Sequence, residues 1–381
     1  MRGRYSLPHF YHFTAIQGCT LKIKLILYVC LFIHFNTFAT TSPITIFSSL
    51  NSEVYAESQP IKSFIDKFDQ PVTKGDSAFT YNQFEMGAKY ANFSFGIQSR
   101  YDYVMEFDPD TALYTYTEKN DLEFEDRYYT YKLNAKNATS HGMFFSYQMD
   151  FTDPKITLTP KISIFSSKHF QDGNINGEVF ADEPQGNFMI DYYFSKDRLF
   201  KSFSPQVRPK GVGVSLDIAF DWQVSKQLKL GLSVKDLYYK NKYSDVGYAV
   251  GSIQDIPFQE DNEGNVYSEP AISLKTSGNN QTKDHTLTMP ARYYGYANYQ
   301  ISPDFSAQLS FRSINKDRFT SILGRWHFAN NWAVKAGYED KSEAWQIGIG
   351  SQSIGINFKT DSLDFDKAYY LHFNTYMSIS F

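Results

Sequence analysis

Several segments of this 381-residue chain place polar, mostly ionisable side chains on one face of an alternating pattern, an even number of residues apart. Asp217 and Asp221 do so in one stretch and Lys229 and Lys235 in the next; Arg312, Arg325, His327, Lys335, His372 and Asn374 follow in later ones. Residues two apart share one face of a strand, so these groups would stand in rows on a single surface. Rows carrying both signs can filter solutes along a polar passage, or pair with one another as a structural network. Both readings stay open at this point. Catalytic patterns are missing: there is no Gly-x-Ser-x-Gly elbow, no His-Glu-x-x-His and no glycine-rich phosphate loop. His141, His169, His285, His327 and His372 lack metal-ligand spacing. The acidic run 108–127 (Asp108, Asp110, Glu118, Asp121, Glu123, Glu125, Asp126) contains no calcium loop and is expected to be a solvated connection. No enzyme activity, cofactor or metal is assigned. A formal charge of −4 argues against a nucleic-acid partner.

The elements that would position these rows are strands. Between Gly211 and Val224 one face holds Val212, Val214, Leu216, Ile218, Phe220 and Trp222. The other holds Gly213, Ser215, Asp217, Ala219 and Asp221. Leu228, Leu230, Leu232 and Val234 repeat the pattern after a three-residue turn, which predicts a hairpin. The same alternation runs through 143–151, 156–164, 305–311, 322–328, 332–338, 345–349 and 354–358, with short connections between many of them. No helical crossover pattern separates these strands, so an antiparallel up-and-down meander is the simplest path. An aromatic content of 18% suits strands, and at least one strand is long enough to cross an apolar layer of about 25 Å. The reading is an all-β transmembrane barrel of about 14 strands (12–16), its apolar rows toward lipid and its charged rows around a wet lumen. On that reading arginine at Leu216 hinders insertion, while arginine at Ser215 is tolerated. Aromatic doublets (Tyr192-Tyr193, Tyr238-Tyr239, Tyr293-Tyr294, Tyr369-Tyr370) would mark the two membrane interfaces.

At the N-terminus Lys22 and Lys24 precede the apolar run Leu25–Phe35, followed by Thr37-Phe38-Ala39. That order describes a secretory signal over 1–39. The only cysteines, Cys19 and Cys30, fall within it, so no disulfide is expected in the exported chain. Residues 40–78 are expected to be a periplasmic lead-in and 79–381 the barrel. Counting strands back from the C-terminus places 240–289 outside the cell as a long loop over the mouth. The basic stretch Lys196, Arg198, Lys201, Arg208 and Lys210 would lie outside as well, where it could meet lipopolysaccharide phosphates.

The last strand alternates Ile379, Met377, Thr375, Phe373 and Leu371 against Ser380, Ser378, Tyr376, Asn374 and His372, and stops at Phe381. This resembles the C-terminal targeting strand of Gram-negative outer-membrane barrels. The resemblance implies that Phe381, Ile379 and Met377 serve as a signal for the outer-membrane assembly machinery, in a lipid and lipopolysaccharide setting. Trp222-Gln-Val-Ser-Lys-Gln-Leu-Lys-Leu-Gly-Leu-Ser-Val-Lys-Asp-Leu237 also resembles a hairpin of the fatty-acid-transporter-like and TraF-like barrels. It covers sixteen residues and implies a roughly fourteen-stranded barrel that moves small, often hydrophobic, molecules. No binding residue is carried over. The functional expectation is a passive channel or small-molecule transporter; the alternative is a non-conducting barrel that serves as a surface-binding or assembly scaffold.

Overall fold

A computed structural model describes residues 43–181, 186–197, 209–254, 259–260, 266–267, 271–277, 281–329 and 331–381. The signal region 1–39, with both cysteines, lies outside them, as does most of the basic stretch 196–210.

The chain first forms β1 (Ile44–Ala56), α1 (Ile61–Ile65), β2 (Ser77–Tyr90), β3 (Phe93–Phe107) and α2 (Pro109–Lys119). Next come β4 (Tyr128–Tyr147), β5 (Met149–Thr152), β6 (Lys155–Phe180), β7 (Gly186–Phe194), β8 (Lys210–Gln223) and β9 (Leu228–Gln254). A small ladder joins β10 (Gln259–Glu260) to β11 (Val266–Tyr267). The chain returns through β12 (Ala271–Thr276), β13 (Lys283–Leu287) and β14 (Arg292–Gln300). It ends with β15 (Phe305–Ile314), β16 (Asp317–Ala329), β17 (Trp332–Glu339), β18 (Ala344–Gly350), β19 (Ile354–Thr360) and β20 (Tyr370–Ser380).

Eighteen of these segments form one sheet, and β20 pairs back onto β1, which closes it. β5 continues β4 along β6. β7 and β8 stand in line between β6 and β9, and β12, β13 and β14 stand in line along β9. Merging these broken strands gives a closed antiparallel barrel of fourteen, as the alternation predicts. The start of β1, the end of β20 and the shortest turns share one end, the near end; α1, α2 and most of the longer connections lie at the far end. The wall is uneven: β6 and β9 have 26 and 27 residues, against 7 each in β18 and β19.

Two expected boundaries change. The barrel begins at Ile44, inside the stretch 40–78 read as a lead-in; β1 pairs along its length with both β2 and β20. Serines at 48 and 52 interrupt its outward apolar row, which hid the alternation. The connection 57–76, with α1, therefore sits at the far end and not at the near end. The described residues of 240–289 do not form a loop over the mouth. β9 runs on to Gln254, and β12 and β13 pair back along it as a raised wall. Tyr239, Tyr243 and Val246 bury their side chains inward there, which rewards the continued strand.

Toward the near end, large apolar side chains cover the outside: Phe95, Met143, Ile164, Val212, Leu309, Ile322, Trp345 and Ile347 are all exposed, Trp345 at 69%. Tyr90, Phe93, Trp222, Tyr299 and Trp332 ring the near rim of this belt, while Tyr238, Tyr293 and Trp345 lie toward its other side. In the doublets Tyr238-Tyr239 and Tyr293-Tyr294, the first tyrosine is exposed and the second turns inward.

Candidate solute path through the barrel

The inner space has three levels, and different physics fills each one. At the far end it is an apolar core. Tyr129, Leu133, Ile175, Val179, Phe188, Ile190, Tyr192 and Phe194 point inward from the tall wall and pack with Tyr103, Met105 and Phe107. α1 and α2 close over them. α2 forms where a solvated loop was expected, and its start was readable: Asp108 caps it by accepting from the Thr111 N–H (2.7 Å), with Pro109 in the first turn. Asp110 takes a two-pronged hydrogen bond from Arg127 (3.0 Å each), which holds its carboxyl below the usual range. Between the helices and β3 lies a small cavity of about 40 Å³, lined by Phe64, Phe68, Met105, Phe107, Ala112 and Leu133. Glu118 sits half-buried on α2, and burial pushes its carboxyl up to about 7 against the opposing pull of Lys119.

Below this core a layer of buried ion pairs crosses the barrel. Arg100 on β3 reaches Asp236 on β9 with both guanidinium nitrogens (2.8 and 2.7 Å), and also pairs with Asp102 (2.9 Å). Arg292 joins the same Asp236 at 2.7 Å and lies over the Tyr81 ring. Lys235 donates to Gln83 (2.9 Å), and Lys161 bridges to Glu85 with Asp217 at 3.9 Å. On the other side Arg312 of β15 pairs with Glu53 of β1 and with Glu339 of β17 (2.8 Å); Lys359 meets the same Glu339 at 2.8 Å. Tyr370 donates to Glu53 (2.8 Å), and His372 contacts Asn51 (2.9 Å). Six cations and six carboxylates meet in this layer, which balances its charge. Bidentate guanidinium–carboxylate pairs suit such a site because they offset the desolvation of both ions.

The third level, at the near end, is wetter. Asp221 and Lys229 pair at 3.3 Å with side chains about two-fifths exposed (38% and 40%). Tyr296 also donates to Asp221. Its ring lies flat on the wall because the facing residue is Gly231, where a Cβ would come within 2.1 Å of it. Arg325, His327 and Lys335 stand on the same inner surface, half-buried.

The candidate residues thus divide among levels. Asp217, Lys235, Arg312 and His372 belong to the buried layer, with Asn374 next to it; Asp221, Lys229, Arg325, His327 and Lys335 line the wet level. Phe381 closes the seam by donating to the Ile44 carbonyl (3.0 Å), and Ile379 faces outward. Ser215 is fully buried at 1%, so it lines no wet passage and its tolerance of arginine is withdrawn. Glu53, Glu85, Arg100, Asp102, Lys161, Asp236, Arg292, Glu339 and Lys359 were not read from the sequence. Arg100 and Asp102, two apart, carried a signal; Asp236 did not, because it sits at a break in the ladder with φ 55°.

At the far rim Glu57, Asp76 and Asp317 converge, but lysines take them: Lys341 bridges Glu57 (3.1 Å) and Asp317 (2.5 Å), and Lys316 holds Asp76 (2.7 Å). On the outer face a furrow of about 650 Å³ runs between Phe305, Trp326, Val334, Ile347, Ile356 and Phe358.

No family model and no curated protein matches the chain. Solved structures similar to it include a TodX deletion mutant, a monoaromatic hydrocarbon channel, at 10% identity over 90% of this chain and 91% of that one (TM-score 0.41). Another is the monoaromatic hydrocarbon channel CymD, at 8% identity over 90% and 88% (TM-score 0.38). A third is a FadL homologue of Pseudomonas aeruginosa, at 9% identity over 89% and 87% (TM-score 0.36). At this level of likeness the barrel rests on its own strand pairing.

Proposed function

We propose that the chain is an outer-membrane barrel of a Gram-negative cell that admits small apolar solutes, and that the far-end core is its closed entrance. The observation that carries this is the polarity around the belt. Exposed aliphatic and aromatic side chains surround a charged interior, which suits acyl chains outside, whereas a monomer in water rarely exposes so large an apolar surface. The near end, with the start of β1 and the end of β20, then faces the periplasm. Phe381, Ile379 and Met377 form the seam strand that the assembly machinery would read, and lipid and lipopolysaccharide surround the belt. The cavity under α1 and α2 is apolar but, at about 40 Å³, too small for an aromatic ring; a buried cavity that holds benzene is nearer 150 Å³. Admission therefore requires α1 or α2 to move. Nothing in this reading calls for catalysis.

Uptake of toluene into vesicles carrying the purified barrel tests it. Uptake should exceed that of empty vesicles and fall severalfold in Phe107→Glu, which puts a charge into the cavity wall. Uptake no faster than in empty vesicles, from a protein that is folded and inserted, defeats the reading. A second reading, a non-conducting scaffold, is favoured by the ion-pair layer that crosses the barrel from β3 to β9 and from β1 to β15.

A further inference from the structure

Inside the barrel, almost every cation has an acid. Arg100, Arg292, Arg312, Lys161, Lys229 and Lys359 each meet a carboxylate. Lys235 lacks one but donates to the Gln83 amide oxygen (2.9 Å). Among the described residues Arg325 and Lys335 have no such partner. They are direct partners on the neighbouring strands β16 and β17, both on the inner face. Like charges directly opposite each other on adjacent strands destabilise a sheet. No ion pair reaches either one among the described residues, and the Nε of Arg325 is buried without a partner. Their other ladder neighbours offer no acid: Arg325 faces Ser306, and Lys335 faces Gly348. The inner carboxylates Asp221 and Glu339 are already engaged, Asp221 by Lys229 and Tyr296, and Glu339 by Arg312 and Lys359. Asp304, in the turn below, pairs with neither.

We propose that Arg325 and Lys335 form a binding site at the near end of the lumen for a small oxyanion, a carboxylate or phosphate group. A guanidinium fork and a flexible ammonium side by side can take both oxygens of such a group. A bound anion would also turn the repulsion between the two strands into a bridge. His327, two residues along β16 on the same face, lies beside the pair, and the half-buried state of all three leaves them open to water from the near end. The site does not require that the barrel conduct, so it goes beyond the function proposed above.

Calorimetric titration of the full-length barrel in a non-ionic detergent, with sodium butyrate and separately with inorganic phosphate, tests the site. The wild-type protein should bind at least one probe. Butyrate alone would assign a carboxylate, phosphate alone a phosphate group, and both a general oxyanion site. Arg325→Gln and Lys335→Gln should each weaken binding tenfold or more, and Arg325→Lys should retain part of it. Lys335→Glu supplies Arg325 with an internal partner; it should abolish binding and raise the unfolding midpoint, which separates lost binding from lost fold. Binding of neither probe by the wild type, or unchanged binding in the folded Lys335→Glu variant, would overturn the assignment. Failure of toluene uptake alone would leave it standing.

Discussion

β7 and β8 stand in line in the same wall, yet their faces are reversed. In β7 the inward residues are Phe188, Ile190, Tyr192 and Phe194, and Met189 and Asp191 face out. In β8 the inward residues include Ser215, Asp217 and Asp221, and Val212 and Trp222 face out. Between them the surroundings change. Along β8 the outside is apolar, so the wall turns its aliphatic row outward and keeps hydrophilic groups within. Along β7 the outside suits water, so the wall buries its apolar row as a soluble barrel does. One strand period therefore serves two solvents, and the crossing point marks the upper edge of the belt.

Breaking the buried layer gives the largest expected effect. Arg100→Met leaves Asp236 and Asp102 with less compensation inside the barrel and should cost about 3–5 kcal/mol in reversible urea unfolding. A cost below about 1 kcal/mol would mean the layer is hydrated and the three-level division is wrong. Phe194→Ala should cost about 3–4 kcal/mol, because this side chain is completely buried in the far-end core; the same measurement on Trp222→Ala, on the outer face, should give far less. Leu216→Arg should oppose insertion by about 2–4 kcal/mol, whereas Met189→Arg, at a site 70% exposed above the belt, should change folding yield in lipid vesicles hardly at all. Equal penalties at 216 and 189 would erase the distinction between β8 and β7. The smallest effect concerns Glu118. Its folded carboxyl titrates near 7, above the ordinary value of 4.5, so its contribution is fully favourable below about pH 4.5 and is lost as pH rises through 7. Partial exposure limits the change to roughly 1 kcal/mol. Protease cleavage within α2 should be slower at pH 5 than at pH 8, and Glu118→Gln should flatten that difference.

Alternation in 211–234 and in the last strands was legible because both sides of the wall there face contrasting media, so each residue declares its side. The same rule misassigned Ser215. It lies on the inner face as expected, but Arg100 and Asp236 belong to a layer assembled from strands far apart in sequence, and no local pattern says that such a layer is dry. β1 was overlooked because two serines dilute its outward row, and β9 beyond residue 239 because its apolar side chains turn inward. For Arg325 and Lys335 the sequence supplied the residue types and the face. Their mutual opposition, and the lack of an acid between them, depend on the register of β16 against β17.

By itself the sequence determined the period of the strands, the closed antiparallel class and the approximate number of strands, since these follow from which neighbours two residues apart share a face. Tertiary structure alone decided which charges meet. Arg100 and Asp236 lie 136 residues apart, and Arg312 and Glu53 lie 259 apart. Closing the barrel brings them within contact, and burial then makes each charge depend on the opposite charges that meet it there.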